Sequence, residues 1–573
     1  MKRYVYAVFL LIFLYFLFFS IFRINDCDEG YILTASMRIL NGELPYKDFF
    51  LHTPPLTYYA VAAVFKIFGQ QLIAGRILTV IIGLLIALLL YLISRRIMSL
   101  AYALIPPLIF MSWGTGQVNI PSFAWFGLLF ALGSVYAFIA FMDHEDSWSM
   151  MIAGIFSGLS FLSKQNLGLC TLAVFMIFLI INRARLKNLL LLTIFFIIPI
   201  LAASYLFYIK GALAQFIKYV FFIGAESGIR RMQIFPYPGI QFPQVIMAAV
   251  YCAFFYLTIR RLRKKKTAFP FNILMGIFLL LVIFTVVFER TLPHFNRFLD
   301  YVKTGAIRGF FDFLVFSCII SIVLSVMAIR KKRREGCKTE MAVFFLSIFA
   351  LLYIWAGLFI SRDMLHHIYS LPPAFILAGY IFYRLGSRLS DKADRGIYSN
   401  YAIVFPVIFI LVLGFVTNLN NEVFRDSEMP LYKLQSTVKL ERAKFILTDA
   451  EYAKDITGLV NFLDAETAEK EKIFYTYFPD SEIFFLADRM PASFFHFIYS
   501  DTVRAGDEVR IINDIVRDRT RMIFLPAYQF VAIEKLPGPS GNGNVYDLER
   551  YIKANYALKK SFGRFIVLER SAG

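Results

Sequence analysis

Long apolar runs recur along the first three quarters of this chain, separated by short polar or charged stretches. They fall near 4–22, 75–94, 97–111, 121–142, 149–163, 167–182, 188–209, 244–259, 271–288, 308–329, 341–360, 372–384 and 401–418. A helix needs about 20 residues to cross the hydrocarbon of a bilayer, so the pattern predicts 13 membrane-crossing helices. The first run follows Met1-Lys2-Arg3 as a signal peptide would, but Ile21, Phe22 and Arg23 close it where small residues would mark cleavage. It is therefore expected to remain as a first transmembrane helix. From residue 419 the pattern changes. Apolar runs shorten to strand length at Lys472–Phe478, Glu482–Leu486, Met522–Leu525 and Phe565–Leu568, with helical periodicity at 451–464, 507–518 and 546–556. Alternation of that kind predicts a small α/β domain. The expected fold is thus an α-helical polytopic membrane module, 1–418, followed by an α/β domain, 419–573.

Composition sharpens this picture. The 573 residues are 59% hydrophobic and only 17% charged, against about 25% charged in soluble proteins. A net charge of +19 would suggest nucleic acid in a soluble chain, but here the two densest basic clusters, 260–266 and 330–340, lie in loops between apolar runs. With the N-terminus inside, both fall on the cytoplasmic side, as the positive-inside bias requires. The bilayer, and no nucleic acid, is the partner this charge implies. Thirteen spans then place the C-terminal domain outside. The five cysteines are scattered and form no disulfide framework or zinc spacing. No nucleotide-binding loop, dinucleotide fingerprint or zinc-protease motif is present.

The segment 23–75 is a long first outer loop, and it concentrates the chemistry. Asn25-Asp26-Cys27-Asp28-Glu29-Gly30 sets three carboxylates within four residues just past the first span. Taken alone, these acids serve equally well as the capping turn of a helix. Tyr31–Leu40 reads as an amphipathic interfacial helix, and Pro54-Pro55 starts a second one rich in tyrosine. Between them lie Asn41-Gly42-Glu43-Leu44-Pro45-Tyr46-Lys47-Asp48 and His52-Thr53.

The ordered runs D-x-D-E-G-Y, N-G-x-x-P-Y-x-D and H-x-P-P-L-x-Y-Y resemble the first extracytoplasmic loop of GT-C glycosyltransferases. The branch they are most similar to contains protein O-mannosyltransferases and the lipid A aminoarabinose transferase (glycosyltransferase family 39). That resemblance implies a sugar donor carried on a polyprenyl phosphate and an envelope glycan, lipid or protein as acceptor. It also implies a bacterial inner-membrane location with the active site on the extracytoplasmic face. It places the catalytic acid at Asp28. One carboxylate can act as general base toward an acceptor hydroxyl. Glu29 joins it in the catalytic pair of candidates, although adjacent helical residues point about 100° apart, which suits orienting the loop or binding sugar hydroxyls. Asp26, Tyr46, Asp48 and His52 are candidates for touching substrate. Relatives with aminoarabinose specificity carry a lysine just before the P-P-L step. Thr53 stands there in this chain, which departs from that substrate.

Cations on outer loops would hold the carrier phosphate. Lys164, in the polar break Ser163-Lys164-Gln165-Asn166, is one candidate. Arg362, His366 and His367, just before Leu371-Pro372-Pro373, are the others. Their plainer readings are a lysine snorkelling to headgroups and an Arg362–Asp363 surface pair. The long outer loop 210–243, with Glu226, Arg230 and Arg231, is a candidate cap over the acceptor. No cofactor is required by the pattern; Asp26, Asp28 and Glu29 could hold a divalent cation through oxygen, and the spacing does not decide it. The rival from another class is a transporter or flippase of lipid-linked glycans. Such a protein should carry polar, broken helices at mid-membrane depth, whereas polar residues here cluster at the outer face.

Overall fold

The computed structural model describes residues 2–24, 27–223, 296–331, 338–359, 363–390, 396–420, 431–469, 471–475, 481–497, 505–534 and 546–571. Helices occupy eleven of the thirteen expected span positions; the expected spans 244–259 and 271–288 lie outside the described residues. Five described helices are long and apolar enough to cross a membrane: Leu72–Ile97, Phe123–His144, Leu186–Ile209, Ala306–Arg330 and Lys338–Leu358. The protein is a multi-pass integral membrane protein.

The helical periodicity explains how these helices divide between core and lipid. In α1 (Lys2–Phe19), Ile12, Phe16 and Phe19 recur on one face and are buried, while Leu10, Leu11, Leu14 and Phe18 are exposed. α2 (Cys27–Leu40) and α3 (Leu56–Phe68) form the first outer loop. In α4 (Leu72–Ile97), Ile82, Ile86, Leu90, Ile93 and Ile97 face inward, and Ile77, Ile81, Leu85 and Leu88 face out. Apolar side chains on the outward faces suit hydrocarbon, since soluble surfaces rarely expose such contiguous apolar area. Polar side chains tether neighbouring helices to backbone carbonyls within the bundle. Trp113 Nε1 donates to the Ile410 carbonyl (3.0 Å) and Gln117 Nε2 to that of Gly414 (2.7 Å).

The C-terminal domain holds a four-stranded sheet. A short ladder of β1 (Ser436–Thr437) with β2 (Leu447–Thr448) precedes it. The main sheet runs β3 (Phe474–Tyr475), β4 (Met522–Pro526), β6 (Phe565–Arg570), β5 (Tyr556–Phe562). β3 is parallel to β4, and β4–β6 and β6–β5 are antiparallel, with Ile523 opposite Leu568. One sequence expectation is corrected: Glu482–Leu486 is a one-turn helix, not a strand. The helix expected over 546–556 ends at Asn555, and an unexpected strand, Tyr556–Phe562, follows it. The 482–486 run is apolar on every side because all five residues are buried, so no period distinguishes helix from strand.

That short helix lies on α2. Thr34 Oγ1 donates to the Ser481 carbonyl (3.0 Å). A Cβ at Gly30 would stand 2.3 Å from the Glu482 nitrogen, so only glycine permits the approach. Further along, Phe50 N donates to Phe494 O (2.9 Å) and Arg38 Nη1 to Ser493 O (3.0 Å). One hydrophobic core therefore runs from Tyr31, Ile32, Phe49 and Phe65 of the first loop into Ile456, Phe485, Ile523 and Val567 of the C-terminal domain. The first loop is clamped between membrane bundle and outer domain.

Candidate active site

Asp28 lies in the first turn of α2 and is half-buried. Its neighbour Glu29 is only 2% exposed and closes a two-pronged ion pair with Arg76 (2.8 and 2.7 Å). Arg76 uses its remaining donors on the carbonyls of Ser20 (3.0 Å), Phe22 (2.7 Å) and Arg23 (2.7 Å) at the end of α1. Arg76 thus ties α1, α2 and α4 together. With both Glu29 oxygens engaged, the carboxylate that remains turned to the site from this pair is Asp28. Glu29, a catalytic candidate by sequence, has the geometry of an anchor.

Two separate segments bring charge to Asp28. Lys164 interrupts the helices Ser147–Ser163 and Gln165–Ile181 with an extended backbone (φ −149°, ψ 111°). The turn is tight: a Cβ at Gly168 would meet the Phe161 nitrogen at 2.2 Å. The flanking amides then fix the lysine. Gln165 Nε2 donates to the His52 carbonyl of the first loop (3.3 Å), and Asn166 Nδ2 to Ala356 O near the end of helix Lys338–Leu358 (2.7 Å). Just beyond that helix, Asp363 caps Met364–Ser370 by accepting from His366 N (2.8 Å). The Asp363 carboxylate also meets His366 Nδ1 (2.8 and 2.9 Å).

The electrostatics follow from this convergence. Burial pushes the Asp28 carboxyl above the ordinary carboxylate range; His366 and Lys164 pull it back, and Asp363 pushes it further up. Burial brings the Lys164 ammonium down to about 8, against the pull of Asp28 and Asp363. Lys164 is 7% exposed, with its ammonium 5.5 Å from the Phe123 ring centroid. A half-buried carboxylate and a buried amine, each moved toward neutrality by desolvation, form a pair poised to exchange charge with a ligand.

The other sequence candidates lie elsewhere. Asp26 and Arg362 are outside the described residues, as are Glu226, Arg230 and Arg231. His367 is turned into the core: its Nδ1 donates to Asp363 O (2.7 Å) and its ring stacks on Phe311 at 5.2 Å. As a phosphate ligand it is displaced by that packing. Tyr46 is buried, with its hydroxyl donating to Thr53 O (2.7 Å) and its backbone at φ 68°; it shapes the loop. His52 stacks on Tyr31 (5.6 Å), whose ring also stacks on His496 (5.0 Å). Asp48 accepts from Leu44 N (2.7 Å) and lines a separate cavity against the C-terminal domain. Among the described residues no three His, Cys, Asp or Glu side chains form a metal-holding group. Because Arg76 occupies both Glu29 oxygens, an Asp28–Glu29 oxygen cage for a divalent ion does not fit this geometry.

Sequence reasoning missed Arg76, Asp363 and the Gln165-Asn166 pair. Arg76 was detectable as the lone charge near the start of an otherwise apolar span, a position that calls for a partner. Asp363 carried the signal of a helix cap. The two amides carried none, because their partners are distant backbone carbonyls.

The charge at Lys164 gives a pH test. A lysine must be protonated to hold an anion, so donor binding should fall as pH rises through about 8. We expect kcat/KM to show that falling limb, and kcat to show it at higher pH, since bound phosphate stabilises the ammonium. Lys164→Arg should remove the limb, because arginine stays charged. Lys164→Ala should weaken donor use roughly 10- to 100-fold, the loss of a charged hydrogen bond of about 1.5–3 kcal/mol. An unchanged pH profile in Lys164→Arg would detach Lys164 from the donor.

Residues 52–223 match the family model described as dolichyl-phosphate-mannose-protein mannosyltransferase. No curated protein sequence matches the chain. In three dimensions it is similar to ArnT from Cupriavidus metallidurans bound to undecaprenyl phosphate. That likeness is at 12% identity and a TM-score of 0.56, covering 100% of this chain and 99% of ArnT. It is also similar to the Archaeoglobus fulgidus oligosaccharyltransferase in complex with Zn and sulfate, at 12% identity and a TM-score of 0.51, covering 91% and 68%. Over its whole length the chain has the ArnT-like GT-C fold, a helical membrane bundle with a small outer domain of strands and helices, and over residues 52–223 it resembles the mannosyltransferase family in sequence.

Proposed function

We propose that the protein is an integral-membrane glycosyltransferase that moves a sugar from a polyprenyl-phosphate carrier to a hydroxyl of an envelope glycan, lipid or protein, on the extracytoplasmic side of a bacterial inner membrane. The observation that carries this reading is the electrostatic coupling of Asp28 to Lys164 and His366, residues that belong to three distant segments of the chain. The family match at 52–223 includes His52 and Lys164, and ArnT, of the same fold, is described bound to undecaprenyl phosphate.

The chemistry is a displacement at the anomeric carbon. The acceptor oxygen attacks, its proton passes to the Asp28 carboxylate, and the bond between the anomeric carbon and the phosphate oxygen breaks. The electron pair leaves on the polyprenyl phosphate, and Lys164 offsets its charge. His366, its Nδ1 held by the Asp363 carboxylate, assists through Nε2. Desolvation of Asp28 raises its basicity and brings its proton affinity closer to working pH, where a general base is most effective. Water then removes the proton from Asp28 and resets the site. The phosphate is already a good leaving group, so positioning and charge stabilisation are the main demands on the protein.

The test is turnover by the purified protein in liposomes, supplied with a panel of polyprenyl-phosphate-linked sugars and an envelope extract. The proposal expects acceptor-dependent release of polyprenyl phosphate from at least one donor. Movement of an intact lipid-linked glycan across the bilayer, with no sugar transferred from any donor, would replace the enzyme by a flippase.

A further inference from the structure

The first loop and the C-terminal domain line an open cavity of about 290 Å³ beside Asp48, the loop acid that the site above does not use. Its charges are unevenly matched. Glu43 is taken by Arg38. Asp514 is taken by Arg517 (2.9 Å) and the Phe494 amide (2.9 Å). Asp518 is taken by Lys472 (2.9 Å) and Arg517 (3.1 Å). Two cations on the wall have no carboxylate partner among the described residues. Lys47 reaches only the Lys210 carbonyl at 3.4 Å. Arg510 sits over the Phe494 ring, its guanidinium carbon 3.5 Å from the ring centroid, and donates no hydrogen bond to a described residue. A guanidinium held by its face against a ring keeps its N–H edge for a planar anion, which it binds with two parallel hydrogen bonds. Asp48 accepts from Leu44 N with one carboxylate oxygen, and a carboxylate has further lone pairs with which it can accept from hydroxyls.

We infer that this cavity is a subsite for an acidic sugar unit of the acceptor, with its carboxylate on Arg510 and Lys47 and a hydroxyl on Asp48. A bare anion would meet Asp48 as a repulsion, whereas a hydroxylated sugar acid meets it as a hydrogen-bond acceptor. Arg38, on the cavity wall, is ten residues beyond Asp28 in α2, or about 15 Å along the helix. The cavity is thus too far to hold the reacting sugar and near enough for another unit of the same acceptor chain. The word acceptor rests on the transferase reading; the binding itself does not.

The experiment measures binding, not turnover. Full-length detergent-purified protein is titrated calorimetrically with tri-galacturonate, neutral maltotriose and inorganic phosphate. Tri-galacturonate should bind, with an affinity that falls as salt is raised, and the other two should bind more weakly or not at all. Arg510→Ala and Lys47→Ala, both at exposed positions, should each weaken tri-galacturonate about tenfold. No binding of tri-galacturonate, or binding unchanged in both variants, would overturn the subsite. Phosphate binding as tightly as tri-galacturonate would reduce it to a simple anion site and overturn the sugar assignment. If tri-galacturonate binds but no donor is ever turned over, the transferase reading fails and the subsite stands.

Discussion

Purified Asp28→Asn should lose sugar transfer by about 10²–10⁴-fold, the range for removing a positioned general base, while remaining folded. The substitution keeps shape and removes charge. Burial raises the Asp28 carboxyl in the folded protein. An acid whose folded pKa lies above its unfolded one is less stable folded when ionised, so at neutral pH it subtracts from stability. Replacing it with a neutral amide should leave the unfolding temperature in detergent unchanged or higher. Loss of activity with retained stability is therefore the expected signature. Normal turnover by Asp28→Asn would remove Asp28 from the chemistry, and lost turnover with a collapsed unfolding temperature would make it a structural residue.

The second large effect is at Arg76. Arg76→Met keeps most of the volume but strands the buried Glu29 carboxylate and the carbonyls of Ser20, Phe22 and Arg23. Breaking a buried pair by removing one partner costs about 3–5 kcal/mol. The unfolding temperature should drop sharply. The double variant Glu29→Gln/Arg76→Met should recover part of that loss, since the unpaired charge is gone and only the carbonyls stay unmet. This pair also separates the two neighbouring acids. Glu29→Gln should act mainly on stability and Asp28→Asn mainly on turnover. If Glu29→Gln abolished transfer at unchanged stability, the roles given to the two acids would have to be exchanged.

Hydrophobic periodicity carried most of the architecture. The runs at 75–94 and 121–142 became Leu72–Ile97 and Phe123–His144, and the amphipathic pattern after Gly30 became α2. The failures have physical causes. Glu482–Leu486 is buried all round, so its pattern has no period to read. The strand 556–562 follows its helix without a break, and its residues from Ala557 to Ser561 are exposed, so no buried face announces it. At the site, the family resemblance offered Asp28, Lys164 and His366 as candidates, but not the means of joining them. That joining depends on Gln165 with His52, Asn166 with Ala356 and Arg76 with Glu29. The Arg76–Glu29 pair spans 47 residues and the Asn166–Ala356 pair 190, and a single sequence holds no record of such pairings. His52 and Tyr46 looked like substrate residues because they sit in the recognisable loop. Their aromatic stacking and the Tyr46–Thr53 bond instead give that loop its shape.

The carrier phosphate is expected beside Lys164 and His366, the two cationic candidates coupled to Asp28. The most direct test is a cryo-electron microscopy structure of the full-length protein with undecaprenyl phosphate. The phosphate should lie within hydrogen-bond distance of Lys164 Nζ, about 2.7–3.2 Å, with the Asp28 carboxylate facing the space beside it and His366 Nε2 turned toward it. A phosphate bound more than about 10 Å from Lys164, beyond the screening length of exposed charges, would contradict the account.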